Sequence, residues 1–183
     1  MEAEDERRAE AEQARRVEAG DERRVEVAAE RLKERIYATI TMVAVTIGLA
    51  LGGHVGPAGA ALSVLGTAAG LWMATLVADG QAYRTVHREL PMWPGVRRSL
   101  YVTSPLLLSA VSPLLLIGAA ALDLMPLRTA LLTATGLDVL SLFLWGYVGG
   151  RRMGDRPIVA LVAGVLDCAV GAIVVAVKVL AGH

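Results

Sequence analysis

Polar and apolar residues are segregated along this chain rather than interleaved. Residues 1–35 are dominated by Glu, Arg and Ala, and from Ile36 onward the chain runs in long apolar stretches with sparse charge. A helix needs roughly 20 predominantly apolar residues to cross about 30 Å of hydrocarbon. Five stretches reach that length: about Ile36–Gly53, Ala58–Asp79, Leu100–Leu122, Leu127–Val148 and Ile158–Leu180. The breaks between them are GGHVGPAG at 52–59, a basic stretch from Gly80 to Ser99, DLMP at 123–126 and GGRRMGDRP at 149–157. Gly/Pro clusters and charge are what end such helices. The pattern predicts an all-α polytopic membrane bundle of about five helices over 36–183, preceded by a charged helix over 1–35.

Composition agrees with the pattern. Hydrophobic residues make up 55% of the 183, and the mean hydropathy is +0.52, too apolar for a soluble domain of this size. The net charge of zero hides a regional split, because residues 1–35 hold twelve of the eighteen acids and nine of the eighteen bases. A single cysteine, Cys168, excludes an intramolecular disulfide and a Cys-cluster metal site. The first apolar run lies behind a long charged stretch and is followed by others, so no cleavable signal peptide is expected.

Lys and Arg set the expected orientation. Arg31, Lys33 and Arg35 precede the first span. Arg84, Arg88, Arg97 and Arg98 lie between spans two and three, and Arg151, Arg152 and Arg156 between spans four and five. The alternate connections hold only His54, or Asp123 with Arg128. Three basic ends alternate with three nearly uncharged ones. The expected location is integral to a plasma membrane of bacterial type, with the N-terminus cytoplasmic and the C-terminus outside.

Residues 1–35 carry an eight-residue repeat: RRAEAEQA, RRVEAGDE, RRVEVAAE, then RLKER. Eight residues turn a helix by about 800°, so equivalent positions drift about 80° per repeat. No continuous apolar seam results, which excludes a coiled coil. Acid-before-base pairs such as Glu4 with Arg8 and Glu12 with Arg16 fall at helical spacing. A solvated helix weakened at Gly20 is one reading. An arm on the cytoplasmic face that docks a protein partner or makes an oligomer contact is the other.

Ionisable groups inside a membrane cost several kcal/mol unless paired or hydrated. Asp138 lies mid-way along span four and Asp167 mid-way along span five. Each is about ten residues from its cytoplasmic end, so both are expected about 15 Å deep. Two carboxylates at one level would share a proton or hold a cation between them. Thr135 and Ser141 add oxygen donors at helical spacing from Asp138, which suits a proton or a hard divalent ion. Alternatively each Asp hydrogen-bonds elsewhere as helix-to-helix glue. The cargo would be a divalent cation or a proton, the metal itself is unknown, and no bound cofactor is implied.

Weaker candidates surround this pair. Asp79 ends span two and is a candidate access point for ions from the cytoplasm. Thr39, Met42 and Thr46 share one face of span one, and with Met73 of span two they could line a pathway or simply fill core and lipid-facing positions. Span three contains SPLLL twice, at 104–108 and 112–116. Two proline kinks there predict a hinge, a pocket, or only a packing feature. Lys178 is expected to snorkel to the outer interface. Gly66 with Gly70, and Gly146 with Gly150, are small-xxx-small pairs, and Gly164 and Gly171 flank Asp167. Such spacing marks close helix contacts and permits a homodimer or other homo-oligomer.

An enzyme is not expected. There is no nucleotide-binding loop, no HExxH and no nucleophile beside a base, and His54, His87 and the terminal His183 are scattered. The bases follow membrane topology, so no nucleic-acid partner is expected either.

The segment FLWGYVGGRRMGDRPIVALVAGVLDCAVG, Phe143 to Gly171, resembles the vacuolar iron transporter family. It is similar to that family's Phe-x-x-Gly end of span four, basic loop and Gly-rich span five. WMATLVADGQAY at 72–83 resembles the end of its second span, with Asp79 where a Glu is expected. The resemblance implies five spans, a cytoplasmic N-terminal helix and a dimer. This chain departs from the family by lacking an Asp-Gly in span one, where it reads RIYATITMVAV. It also lacks the long acidic, Met-bearing insert between spans two and three. The family's iron ligands therefore carry over only to Asp79, and Asp138 and Asp167 stand outside its pattern. The expected function is a cation transporter or channel. The alternative is a non-transporting membrane scaffold that recruits a partner through residues 1–35.

Overall fold

The computed structural model describes residues 2–53, 55–87, 93–152 and 156–181. His54, Arg88 and His183 lie outside the described residues, as do the side chains of Glu4, Arg8, His87 and Arg98. Six helices follow in order: α1 (Glu2–Gly52), α2 (Pro57–His87), α3 (Trp93–Leu108), α4 (Val111–Ala121), α5 (Leu127–Arg152) and α6 (Pro157–Ala181). No strand occurs among the described residues. Ser99–Ala121, spanning most of α3 and all of α4, counts as one membrane-length unit, so five units are long and apolar enough to cross a bilayer. Their outward residues agree: Leu62, Leu115, Ile158, Leu166, Ile173 and Leu180 are exposed. An apolar surface of that extent belongs against lipid. This is the build of an integral membrane protein.

The charged arm and the first span are one helix. α1 runs 51 residues, about 75 Å at 1.5 Å per residue, and Gly20 does not interrupt it. Its first half is rich in Ala, Glu and Arg, which favour helix without help from packing. Ion pairs at helical spacing add to it: Glu12 with Arg16 at 2.5 Å and Asp21 with Arg24 at 3.8 Å. Burial starts only further along, with Ala38, Met42, Val43, Thr46, Ile47 and Ala50 inside the bundle. No break in the backbone marks the expected boundary at 35/36.

Turn chemistry ends the helices. Gly53 follows α1 at φ 63°, the left-handed conformation that glycine adopts without steric penalty. Pro57 and Pro157 open α2 and α6, where a missing N–H leaves no intrahelical bond unmade. After α4 the N–H of Leu124 donates to the carbonyl of Ala119 (3.0 Å) and that of Asp123 to Ala120 (3.2 Å). This is a Schellman stop, with Asp123 at φ 56° in the position usually held by Gly or Asn.

Span three differs from the expected doubly kinked helix. It is broken once, at Ser109–Ala110, and its two SPLLL copies behave differently. Pro105 sits inside α3 and cannot donate to the carbonyl of Tyr101. The Ser104 hydroxyl donates to that carbonyl instead, at 2.9 Å. Pro113 falls in the first turn of the new helix α4, where no donor is required. The helix also extends beyond the expected ends of span two and span four, to His87 and Arg152.

α5 is central and packs against α1, α4 and α6, while α2 packs against α1, α3 and α4. One core cluster joins Met42 and Ala50 of α1, Ala60, Val64 and Ala68 of α2, Ala110 and Ile117 of span three, and Leu131 of α5. Ala60, Val64 and Ala68 recur at four-residue spacing on the packed face of α2.

Candidate functional site

The buried face of α5 carries Leu131, Thr135, Asp138, Leu142, Gly146 and Gly150. Their three- and four-residue steps stack them along one side of the helix. Asp138 is only 6% exposed, and its Oδ2 is fully enclosed without a hydrogen-bond partner. One turn earlier on that face, the Thr135 hydroxyl lies 2.9 Å from the Thr46 hydroxyl of α1. Each hydroxyl also reaches a carbonyl of its own helix: Thr46 to Met42 at 2.8 Å and Thr135 to Leu131 at 2.9 Å. The Thr46 hydroxyl also lies 3.3 Å from the Val43 carbonyl, so two protons serve four contacts, and either threonine can be the donor across the interface. A hydroxyl pair that bridges α1 and α5 therefore lies one turn of α5 from the unsatisfied carboxylate oxygen of Asp138. Ser141 is not in that position, because its hydroxyl donates to the Asp138 main-chain carbonyl at 2.8 Å.

α6 lies flush on α5 through glycines. A Cβ on Gly146 would meet the Asp167 Oδ2 and come within 2.8 Å of the Gly164 Cα. A Cβ on Gly164 would lie 2.7 Å from the Phe143 carbonyl, and one on Gly171 2.8 Å from Leu142 Cδ1. The Asp167 carboxylate thus faces protein, over Gly146. Its level differs from the equal depth that residue counting predicts. Gly146 lies eight residues beyond Asp138, about 12 Å along the axis.

The difference has two causes. The Gly146–Gly164 contact sets an antiparallel register in which Ala172, not Asp167, is level with Asp138. In addition, Cα–Cβ bonds tilt toward the N-terminus of their own helix, so side chains on antiparallel helices lean apart. The carboxylates occupy two successive levels along α5.

Thr39, Met42 and Thr46 are all buried on α1, and the Thr39 hydroxyl donates to the Arg35 carbonyl at 2.8 Å. Met73 is elsewhere: it is 59% exposed on the outside of α2. Asp79, half-buried, is on the same helix, which packs mainly on α1, α3 and α4. Lys178 is exposed and Cys168 half-buried. Gly66 and Gly70 are exposed, with open space around them. Among the described residues, no group of three or more His, Cys, Asp or Glu is arranged to hold a metal ion.

A second polar feature escaped the sequence reading. The Arg31 guanidinium lies 3.9 Å from the ring centre of Tyr101, and that of Arg35 lies 4.1 Å from Trp145. Arginines before a span read first as topology signals. The usable hint was an aromatic residue near the same end of spans three and four, where membrane interfaces favour Trp and Tyr.

No family model, curated protein or solved structure matches the chain.

Proposed function

We propose that the chain is a membrane cation transporter or channel in which Asp138 and Asp167 are successive stations of an ion path along α5. The observation that carries this reading is the enclosed, unpartnered Oδ2 of Asp138 on the helix face that also bears the Thr46–Thr135 hydroxyl pair. An ionisable group within a bundle is expensive and marks ion or proton pathways by default. A proton is the favoured cargo. A hard divalent ion takes six or more oxygen ligands, whereas a proton needs one carboxylate and a neighbour that can accept or donate. The iron-transporter likeness supplies only a layout for this reading, and exposed Gly66 and Gly70 offer a face for a homodimer.

Flux through the protein reconstituted in liposomes tests it, with a pH-sensitive dye for protons and entrapped indicators for divalent metals. Asp138→Asn and Asp167→Asn should each lower flux by at least about tenfold with no loss of folded yield. Unchanged flux in both variants refutes the assignment. The second reading, a scaffold, draws on the continuity of α1, which projects a stiff charged helix from the bundle. Loss of a binding partner on deletion of residues 2–22, with no flux in the intact protein, would favour it.

A further inference from the structure

Where α1 enters the bundle, a groove of about 750 Å³ opens between its residues 23–35 and the near ends of α3 and α5. Five arginines line it: Arg23, Arg24, Arg31, Arg35 and Arg152. Among the described residues, no Asp or Glu lines it. On the same helix, Asp21 lies 3.8 Å from Arg24. Glu34 turns to Lys33, at 3.5 Å. The rest of the wall is apolar, including Val27, Leu32, Pro105 and Val148.

Two of the arginines are held in place. Arg31 and Arg35 stack on the faces of Tyr101 and Trp145, which fixes the guanidinium planes and leaves their edge N–H groups for other acceptors. The Arg31 Nη1 is fully enclosed and has no hydrogen-bond partner. A buried cationic donor without an acceptor calls for an anion. Guanidinium forks match phosphate oxygens in pairs. The apolar wall is superfluous for a free anion but suits one attached to hydrocarbon chains. Trp and Tyr beside basic residues also mark the level where headgroups lie.

We propose that this groove binds the phosphate headgroup of an anionic phospholipid from the adjoining leaflet. Its acyl chains lie along the apolar wall and its phosphate is taken by Arg31 and Arg35. The bound lipid then clamps the base of the arm to α3 and α5. The site is independent of the ion path, since none of its lining residues belongs to that path.

Native mass spectrometry on the full chain, released from nanodiscs of equal phosphatidylglycerol and phosphatidylcholine, tests the site. Phosphatidylglycerol should be retained by about tenfold over phosphatidylcholine, as expected for several juxtamembrane arginines. Arg31→Gln/Arg35→Gln should abolish the preference. If that variant does not fold, Arg23→Gln/Arg152→Gln, at exposed positions, should still reduce it. Arg15→Gln/Arg128→Gln removes the same charge outside the groove and should leave it intact. Equal retention of the two lipids, or retention unaffected by both groove variants, overturns the site. Displacement of the lipid by millimolar inorganic phosphate alone overturns the lipid as its source.

Discussion

Residues 12–30 and the α5–α6 hairpin are both helical, and they meet charge in opposite settings. In the arm, acids and bases are exposed and pair along one helix, as Glu12 does with Arg16. Water screens each charge, so any single pair contributes little. In the middle of the hairpin, two carboxylates face protein, among small residues, hydroxyls and apolar side chains. Helix structure there is secured by glycine contacts and by the lack of water to compete for backbone bonds. The lesson is that the density of charge and the cost of keeping each charge run in opposite directions along this chain. The dense charge of the arm is solvated and cheap to keep, while the sparse charge of the hairpin is costly to keep and therefore informative.

The sharpest way to break this contrast is at the hairpin seam. Gly146→Leu would drive a side chain into Asp167 and the Gly164 backbone. Forcing the two helices apart should cost about 3 kcal/mol, the upper end for overpacking, read as loss of the monodisperse peak in size-exclusion chromatography and a lowered thermal midpoint. Survival of the folded protein would mean that α6 is not held by this contact.

A smaller effect is expected at the α1–α5 hydroxyl pair. A double-mutant cycle with Thr46→Val and Thr135→Val should return a coupling of about 0.6 kcal/mol, the average for hydrogen bonds between membrane helices. Reversible unfolding in mixed micelles would measure it. A coupling of zero would leave the two threonines as independent carbonyl caps and weaken their link to Asp138.

The smallest effect belongs to the arm. Glu12→Gln should change stability by no more than about 0.5 kcal/mol, and added salt should shrink even that. A larger loss in thermal unfolding would show that the arm is packed against something, and the comparison with the hairpin would fail.

Much of this was readable beforehand. Five apolar stretches, the alternation of basic ends and the helical arm follow from composition, because hydrocarbon accepts only long apolar segments with their backbone bonds closed. Gly164, Gly171 and Gly146 also signalled close packing of the last two spans. The two prolines of span three signalled disruption, but not which one would be absorbed by a serine and which would start a new helix. That outcome depends on the acceptor freed at Tyr101 and the donor on Ser104.

The sequence by itself determined where the chain meets lipid, how many times it can cross, and which residues there are ionisable. Tertiary structure alone decided what those residues face. Counting along a helix yields depth to within a turn, yet the glycine seam shifts α6 so that Ala172 lies level with Asp138. Opposed Cα–Cβ tilts then carry the two carboxylates further apart. The cation–π contacts of Arg31 and Arg35 likewise join residues about 70 and 110 positions apart, a pairing that only helix packing creates. Local composition selects the solvent for each segment, and the register between segments is set by side chains that meet only once the bundle has closed.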